Sequence, residues 1–170
     1  MDFTKHIKFL RYSLAISAVM SGWLAGVSID RYIIQFPAFM HLNIMNWAEY
    51  SRHADLGNGI YVYPPEAIIP FLALLVSFII ILVSKKLNIL LLPVSIALAL
   101  STAGLFFTIF AAPVMLGVRD MPNDPVLLQQ AFDRFHFWGR FRALSQVLLF
   151  FPALWAMVKV FQIDITNNQV

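Results

Sequence analysis

The sequence predicts an all-α integral membrane protein: a four-helix bundle whose two outer loops contain short interfacial helices. Of its 170 residues, 60% are hydrophobic and 12% are charged, and the mean hydropathy is +0.75. Soluble domains are nearer half apolar and a quarter charged. Four stretches are apolar over close to the ~20 residues that a helix needs to cross the hydrocarbon. We expect one transmembrane domain, residues 1–170, with no separate soluble module.

The order of apolar runs and helix breakers defines each span. The predicted spans cover residues 12–36, 67–84, 87–118 and 143–161. The start of the chain is basic, as in a signal peptide, but its apolar run is too long, so we interpret it as a retained first span. Residues 58–65 predict a turn and an extended approach to the second span. Only Lys85 and Lys86 separate the second span from the third, which predicts a tight antiparallel hairpin.

Both long loops, residues 37–65 and 119–140, predict a short interfacial helix. In the first loop this helix ends at Gly57. In the second it begins after Asp124, a good N-cap residue, with Pro125 in the first helical turn. The second helix is expected to lead into the fourth span.

The charges predict the orientation of the chain. One face of the membrane receives every lysine, six basic residues in all against two acidic ones: Lys5, Lys8, Arg11, Lys85, Lys86 and Lys159 against Asp2 and Asp164. The other face receives six arginines and seven carboxylates, which suggests fixed ion pairs there. The positive-inside rule therefore places both termini in the cytoplasm and the long loops outside the cell membrane. The basic balance reflects orientation and predicts no nucleic-acid partner.

Small residues that recur on one side of each helix, with polar residues among them, predict the packing faces; in the first span the interval is four residues throughout. In the first span these are Ala18, Gly22, Gly26 and Asp30; in the others they are Glu66, Pro70, Ala73 and Ser77, then Ala97, Ser101, Gly104 and Thr108, then Arg142, Gln146, Ala153 and Ala156. We expect Asp30 to face the bundle and pair with Arg142, and Arg31 to pair with Glu66 or a loop carboxylate. The alternatives are charges that mark the water interface, or a structural ion pair.

A metal site is a separate hypothesis. Glu49 and His53 are four residues apart, on one face of a short helix, and His136 lies on the same predicted side. A carboxylate and imidazoles bind zinc, copper or iron, although the spacing matches no established ligand pattern. Solvated loop histidines are the simpler interpretation. The chain has no cysteine, which excludes disulfides, thiolate metal sites and a cysteine nucleophile.

The stretch "DRFHFWGRFRALSQ" concentrates polar and aromatic residues at the start of the fourth span. Trp138 and Arg142 are four residues apart, so the guanidinium can lie against the indole. Asp133 precedes His136 by three residues and can orient the imidazole for general-base chemistry. Gln146 lies one turn deeper than Arg142. An aromatic belt with arginines at the headgroups is the alternative.

Two of these stretches, "SGWLAGVSIDRYIIQFPAF" and "FHFWGRFRAL", resemble the small four-span membrane proteins related to fungal anthrone oxygenases, a family with many uncharacterised bacterial members. The order and length of the spans are similar over nearly the whole chain. Trp138, Gly139 and Arg142 match the family's Trp-Asn-x-x-Arg entrance to the last helix. Gly139 replaces the asparagine, which removes an amide from the motif.

The resemblance implies oxidation of a hydrophobic polycyclic phenol or ketone by dioxygen, with no obvious organic cofactor. His136 or Asp30 is then the base and Arg142 stabilises the oxyanion, with Glu66 in the same pocket. Arg31, Trp138 and Gln146 are the expected substrate-binding residues.

The expected partners are a hydrophobic small molecule or lipid and the membrane itself, and homo-oligomerisation stays an open option. Two alternatives to the oxygenase remain at this point. One is a non-catalytic binding, transport or accessory protein with a structural charge cluster; the other is a metal-dependent membrane enzyme. The sequence identifies no cofactor.

Overall fold

The computed structural model describes residues 3–163, which are almost entirely helical and contain no β-strand. Six α-helices follow one another: α1 (Phe3–Asp30), α2 (Phe36–His41), α3 (Ile44–Tyr50), α4 (Gly59–Val83), α5 (Leu91–Gly117) and α6 (Pro125–Gln162). π-Helical segments, Arg31–Gln35 and Ser51–Asn58, join α1 to α2 and α3 to α4, and a 3₁₀ turn, Lys85–Leu90, joins α4 to α5.

Four helical stretches are long and apolar enough to span a membrane: Thr4–His41, Ile44–Val83, Lys86–Gly117 and Pro125–Gln162. They run alternately up and down. This confirms the predicted all-α four-helix membrane bundle. Neighbouring contacts link α1 to α4 and α6, and α5 to α4 and α6.

The two ends of the bundle differ in what connects the helices. One end, here called the terminal end, holds the start of α1, the end of α6 and the Lys85–Leu90 hairpin, which was predicted to be tight. The other, the loop end, holds residues 31–58 and 118–124. All lysines lie at the terminal end, whereas Asp2 and Asp164, which were counted with them, lie outside the described residues.

The approach to the second span differs from the prediction. Residues 59–65 are helical and belong to α4, although Pro64 and Pro65 lie inside it. A residue that precedes proline normally disfavours helix, which is why the sequence predicted an extended segment. Tertiary contacts override that preference, because helical geometry brings the Tyr63 hydroxyl within 3.1 Å of the Asp55 carboxylate and buries Glu66. Membrane helices tolerate such prolines when neighbouring groups satisfy the freed backbone.

The second outer connection matches the prediction at its helix start. The Asp124 carboxylate accepts hydrogen bonds from the backbone N–H groups of Val126 and Leu127, at 2.8 and 3.3 Å, and so caps α6. The interfacial helix is the first part of α6, which continues through Gly139 to Gln162.

Two arginines tie the loop-end connections to each other. Arg52 donates to the carbonyls of Val118 and Met121 and to the Asn123 side chain, at 3.1, 2.6 and 2.7 Å. Arg119 donates in the opposite direction, to the carbonyl of Leu56, at 3.1 Å. Both arginines bind mainly carbonyls. The expectation that the loop arginines are matched by carboxylates holds for Arg52, which also forms an ion pair with Glu49 at 3.9 Å, but not for Arg119, which forms no ion pair with residues 3–163.

Two apolar clusters form the core. The terminal-end cluster contains leucines and isoleucines that are fully buried, among them Ile7, Leu10, Leu14, Leu74 and Ile81. The loop-end cluster is aromatic, with Phe36, Trp47, Phe132 and Phe135. Buried polar side chains lie between and beside these clusters, and they form the candidate site.

Candidate functional site

A group of buried or half-buried polar side chains lies in the loop-end half of the bundle. We call it the polar layer; its members are Ser28, Arg31, Tyr32, Asp55, Tyr63, Glu66, Arg142 and Gln146. They come from α1 and the turn that follows it, from the segment before α4, from α4 and from α6. Three of the four long helical stretches therefore contribute to the polar layer, and α5 supplies none of its members.

Arg31 and Asp55 form a buried ion pair at the centre of the layer. Their side chains are only 10% and 4% exposed. The Tyr63 hydroxyl donates to the same Asp55 oxygen at 3.1 Å, and the Arg31 guanidinium lies 5.4 Å from the centre of the Tyr63 ring. The prediction that Arg31 pairs with Glu66 or a loop carboxylate is confirmed for the loop carboxylate.

Arg142 is the second arginine of the layer, and it has no such partner. Its Nε atom is fully buried, and the side chain makes no hydrogen bond or ion pair with any residue of 3–163. Its guanidinium lies 5.7 Å from the centre of the Phe135 ring, and that of Arg31 lies 5.9 Å from the same ring. The two cations thus share one aromatic neighbour, while only one of them contacts a carboxylate.

The Tyr32 hydroxyl is the next unpartnered group. It is buried, has no hydrogen-bond partner within the described chain, and points at the backbone of Gly139. A Cβ atom at position 139 would collide with this hydroxyl. Gly139 therefore gives the tyrosine its place beside α6, and the hydroxyl occupies the space that a larger side chain would need.

His136 lies in an aromatic stack next to this hydroxyl. Its ring is nearly parallel to those of Tyr32 and Phe132, at centroid distances of 5.6 and 5.7 Å. The expected contact in which the Asp133 carboxylate orients the imidazole is absent among residues 3–163; that carboxylate accepts a hydrogen bond from Gln129 at 2.9 Å. The imidazole makes no hydrogen bond with any residue of 3–163, so its nitrogens remain available.

The prediction that Asp30 faces the bundle and pairs with Arg142 is wrong. Asp30 is exposed, and its carboxylate accepts from Gln35 at 2.6 Å. The reason is geometric: steps of four residues drift by about 40° each on a helix of 3.6 residues per turn. Ala18 is buried, but Gly26 and Asp30 have rotated out of the interface. The inner face of α1 instead alternates steps of three and four and reaches Arg31.

Glu66 and Gln146 lie inside the bundle, as predicted. Glu66 is 5% exposed, lies next to the Trp23 indole and forms no ion pair within the described residues. Gln146 accepts a hydrogen bond from the Ser28 hydroxyl at 2.6 Å. The predicted small-residue faces of α4, α5 and α6 are buried or half-buried. On α1 the part of the predicted face nearest the loop end, Gly26 and Asp30, is exposed.

Trp138 does not lie against Arg142. Its indole stacks on Phe110 of α5 at a centroid distance of 4.7 Å, so it joins α6 to α5. The guanidinium of Arg142 instead contacts Phe135, which lies one turn closer to the loop end than Trp138 does.

Of the three residues proposed to bind a metal ion, only Glu49 and His53 lie close to each other. The Glu49 carboxylate and the His53 imidazole lie 2.9 Å apart, as their spacing predicted, and both side chains are largely exposed. His136 belongs to the aromatic stack and does not join them. Within residues 3–163, no three histidine or acidic side chains are grouped for a metal ion.

Two cavities bear on ligand binding. One, of about 10 Å³, lies beside Gln146 and is lined also by Leu24, Ser101 and Gly104; it has room for a single water molecule. The other, of about 550 Å³, is an open groove on the outside of α5, between it and Phe78 of α4. None of the residues that line the groove belongs to the polar layer.

Sequence reasoning missed four members of the layer: Ser28, Tyr32, Asp55 and Tyr63. Asp55 and Tyr63 lie in a stretch that was interpreted as a loop and an extended approach. For Asp55 the usable signal was the balance of six arginines and seven carboxylates on the loop side of the membrane. That balance indicated that Arg31 has a carboxylate partner, and Asp55 is one of the seven. For Tyr32 the only usable signal was its position directly after Arg31. Arg31 was expected to find a carboxylate partner, and Tyr32 lies on the same helical turn.

Comparison with known proteins adds no relative: no family model, no curated protein and no solved structure matches this chain.

Proposed function

We propose that this membrane protein binds a lipophilic small molecule with an acidic proton and oxidises it with dioxygen in the polar layer. One observation carries the proposal: Arg142 is half-buried, its Nε is fully buried, and it has no hydrogen-bond or ion-pair partner among residues 3–163, whereas the neighbouring Arg31 already has its carboxylate. A buried charge without a partner is costly, and ionisable groups inside a membrane bundle usually serve a site. An oxyanion on a bound molecule supplies the missing partner.

The second donor is the Tyr32 hydroxyl, which is likewise buried and unpartnered. Together with the guanidinium it offers an oxygen atom two hydrogen bonds in a site without bulk water, where such bonds are strong. His136 is the proposed base, because its ring is stacked on Tyr32 and its nitrogens make no hydrogen bond with residues 3–163. Asp30 has no part in the proposal, since it lies on the exposed face.

The chemistry follows the resemblance to anthrone oxygenases. The base removes a proton from a CH₂ group that is acidified by a conjugated carbonyl, and Arg142 and Tyr32 hold the resulting enolate oxygen. The enolate reacts with dioxygen to give a peroxide, which the protonated base neutralises. Loss of the second carbon-bound proton breaks the O–O bond, so that CH₂ becomes C=O and the other oxygen atom leaves as water. Dioxygen is the oxidant in this balance.

Anthrone provides the test, because its oxidation to anthraquinone is measured by absorbance and by oxygen uptake. We expect the purified full chain in nanodiscs to accelerate the reaction above the protein-free rate, and Arg142→Leu to abolish the acceleration. Arg140→Leu is the matched control: it removes an exposed arginine two residues away that lies over Phe137. Equal rates for both variants, with both folded, would refute the proposed site.

A structural role is the second candidate. The cavity beside Gln146 has room for only one water molecule, and the Arg31–Asp55–Tyr63 network is already paired, both of which favour a layer that only joins the helices. In that case anthrone is oxidised at the protein-free rate by every variant, and Arg142→Leu alters only the stability of the chain.

The proposed location is the cell membrane, with both termini in the cytoplasm and the loop end outside. The lysines at the terminal end support this orientation through the positive-inside rule. A lipophilic substrate then reaches the layer from the outer half of the bilayer.

A further inference from the structure

The inner face of α1 carries a column of serines that the proposed function does not use. Ser13, Ser17, Ser21 and Ser28 are 7%, 0%, 0% and 7% exposed. They extend from the polar layer at Ser28 into the middle of the bundle, where leucine and alanine would be the usual residues. We call them the serine column.

The two central hydroxyls lack partners, whereas the two outer ones have them. Ser28 donates to Gln146 at 2.6 Å, and Ser13 donates to the carbonyl of Ala73 at 2.9 Å. The hydroxyl oxygens of Ser17 and Ser21 are completely buried and have no hydrogen-bond partner within the described chain. Each is therefore a donor and acceptor held in the interior with nothing to bind.

Serines in helices normally satisfy themselves by bonding the carbonyl four residues earlier. Ser95 and Ser145 do this here, at 2.7 and 2.9 Å. Ser17 and Ser21 do not, so their hydroxyls are turned away from their own helix backbone. Leaving a buried hydroxyl unpartnered is unfavourable, and buried water is the common partner of such groups.

A cavity lies toward the polar-layer end of α1, between Leu24 and Gln146, which is the partner of Ser28. It has a volume of about 10 Å³ and is lined by Leu24, one turn beyond Ser21, and by Ser101 and Gln146. The Gln146 oxygen accepts from Ser28, and its amide nitrogen makes no hydrogen bond with residues 3–163. The cavity thus has the size and the polar groups that a single water molecule requires.

We propose that Ser17, Ser21 and this cavity bind a short file of water molecules that extends the polar layer into the middle of the bundle. The file is closed at its far end. There the hydroxyls of Ser13 and Ser77 lie 3.0 Å apart, and beyond them Leu10 and Ile7 are fully buried. The file therefore opens only toward the polar layer and does not cross the bundle, and it stands whether or not the protein is an oxygenase.

Hydroxyl-radical footprinting of the full chain in nanodiscs tests the file, because radiolysis oxidises side chains that touch internal water. Leu24 is 6% exposed and lines the cavity, whereas Leu74 is fully buried in the apolar cluster. We expect Leu24 to be oxidised severalfold faster than Leu74. The double variant Ser17→Val, Ser21→Val, which fills the column with methyl groups, should lower the rate at Leu24 severalfold.

Ser95→Val is the matched control, since that hydroxyl bonds its own helix and lines the outer groove; it should leave the rate at Leu24 unchanged. A dry column is indicated if the wild-type chain oxidises Leu24 no faster than Leu74, or if the double variant leaves that rate unaltered, and either result overturns the proposal. Should the double variant not fold, the comparison within the wild-type chain decides alone.

Discussion

Replacing Asp55 with alanine removes the carboxylate that Arg31 contacts and leaves two guanidinium groups in the polar layer without a negative partner. The pair is buried, with side chains 10% and 4% exposed, so solvent screens it little. Breaking a buried ion pair by removing one partner typically costs about 3–5 kcal/mol. The Tyr63 hydroxyl loses its acceptor in the same change.

The expected loss is large enough to measure as a shift in the unfolding temperature. At about 2–4 °C per kcal/mol for a chain of this size, Asp55→Ala should lower the melting temperature by roughly 6–20 °C. The assay is thermal unfolding of the purified chain in a mild detergent, followed by circular dichroism at a helical wavelength.

A double variant separates the ion pair from general packing. Replacing a buried pair by apolar residues of similar volume is often neutral, so Asp55→Leu combined with Arg31→Met should recover most of the stability that Asp55→Leu alone loses. The reasoning is refuted if Asp55→Ala lowers the melting temperature by less than about 2 °C, which corresponds to under about 1 kcal/mol, or if the double variant is no more stable than the single one.

Three further predictions concern packing, the loop end and orientation. Gly139→Ala should destabilise the chain by about 1–3 kcal/mol, because its Cβ collides with the Tyr32 hydroxyl; thermal unfolding measures it. Arg52→Ala should speed proteolysis of the loop-end connections, because it removes three hydrogen bonds between them. The chain has no cysteine, so a single Asp120→Cys should react with an impermeant maleimide added outside intact cells, whereas Lys86→Cys should react only after lysis.

Each of these has a control in the same chain. Gly26→Ala meets open space, so it should not destabilise, and Tyr32→Phe should relieve part of the effect of Gly139→Ala. Arg134→Ala changes an exposed arginine of α6 and should leave proteolysis unaltered. Labelling of the two cysteines in the reverse order would show the opposite orientation, and equal stability of the two alanine variants would contradict the placement of Tyr32.

Composition and periodicity were enough to predict the architecture but not the fine rotation of α1. Four apolar stretches and a two-lysine hairpin lead directly to the four-helix bundle. A stripe of small residues at intervals of four looks like one helix face, yet over twelve residues it turns through about a third of a circle. For that reason Ala18 is buried and Asp30 is exposed, while its neighbour Arg31 points inward.

The partner of Arg31 depended on long-range structure. Asp55 reaches the layer because residues 51–58 form a π-helical segment that delivers the chain directly into α4, with Gly57 in a non-helical conformation. No local pattern in the sequence predicts that path, and the proline pair at the start of α4 argued against it. The stack of His136 with Tyr32 likewise joins residues about a hundred positions apart, which spacing within one helix does not reveal.

In the proposed function, Arg142 and Tyr32 hold the oxygen of a bound lipophilic molecule. A crystal structure of the full chain, grown anaerobically in a lipidic mesophase with anthrone, would show that oxygen. We expect it within about 3 Å of both the Arg142 guanidinium and the Tyr32 hydroxyl. Anthrone bound elsewhere, with the polar layer unchanged around a guanidinium that contacts only protein and water, would contradict it.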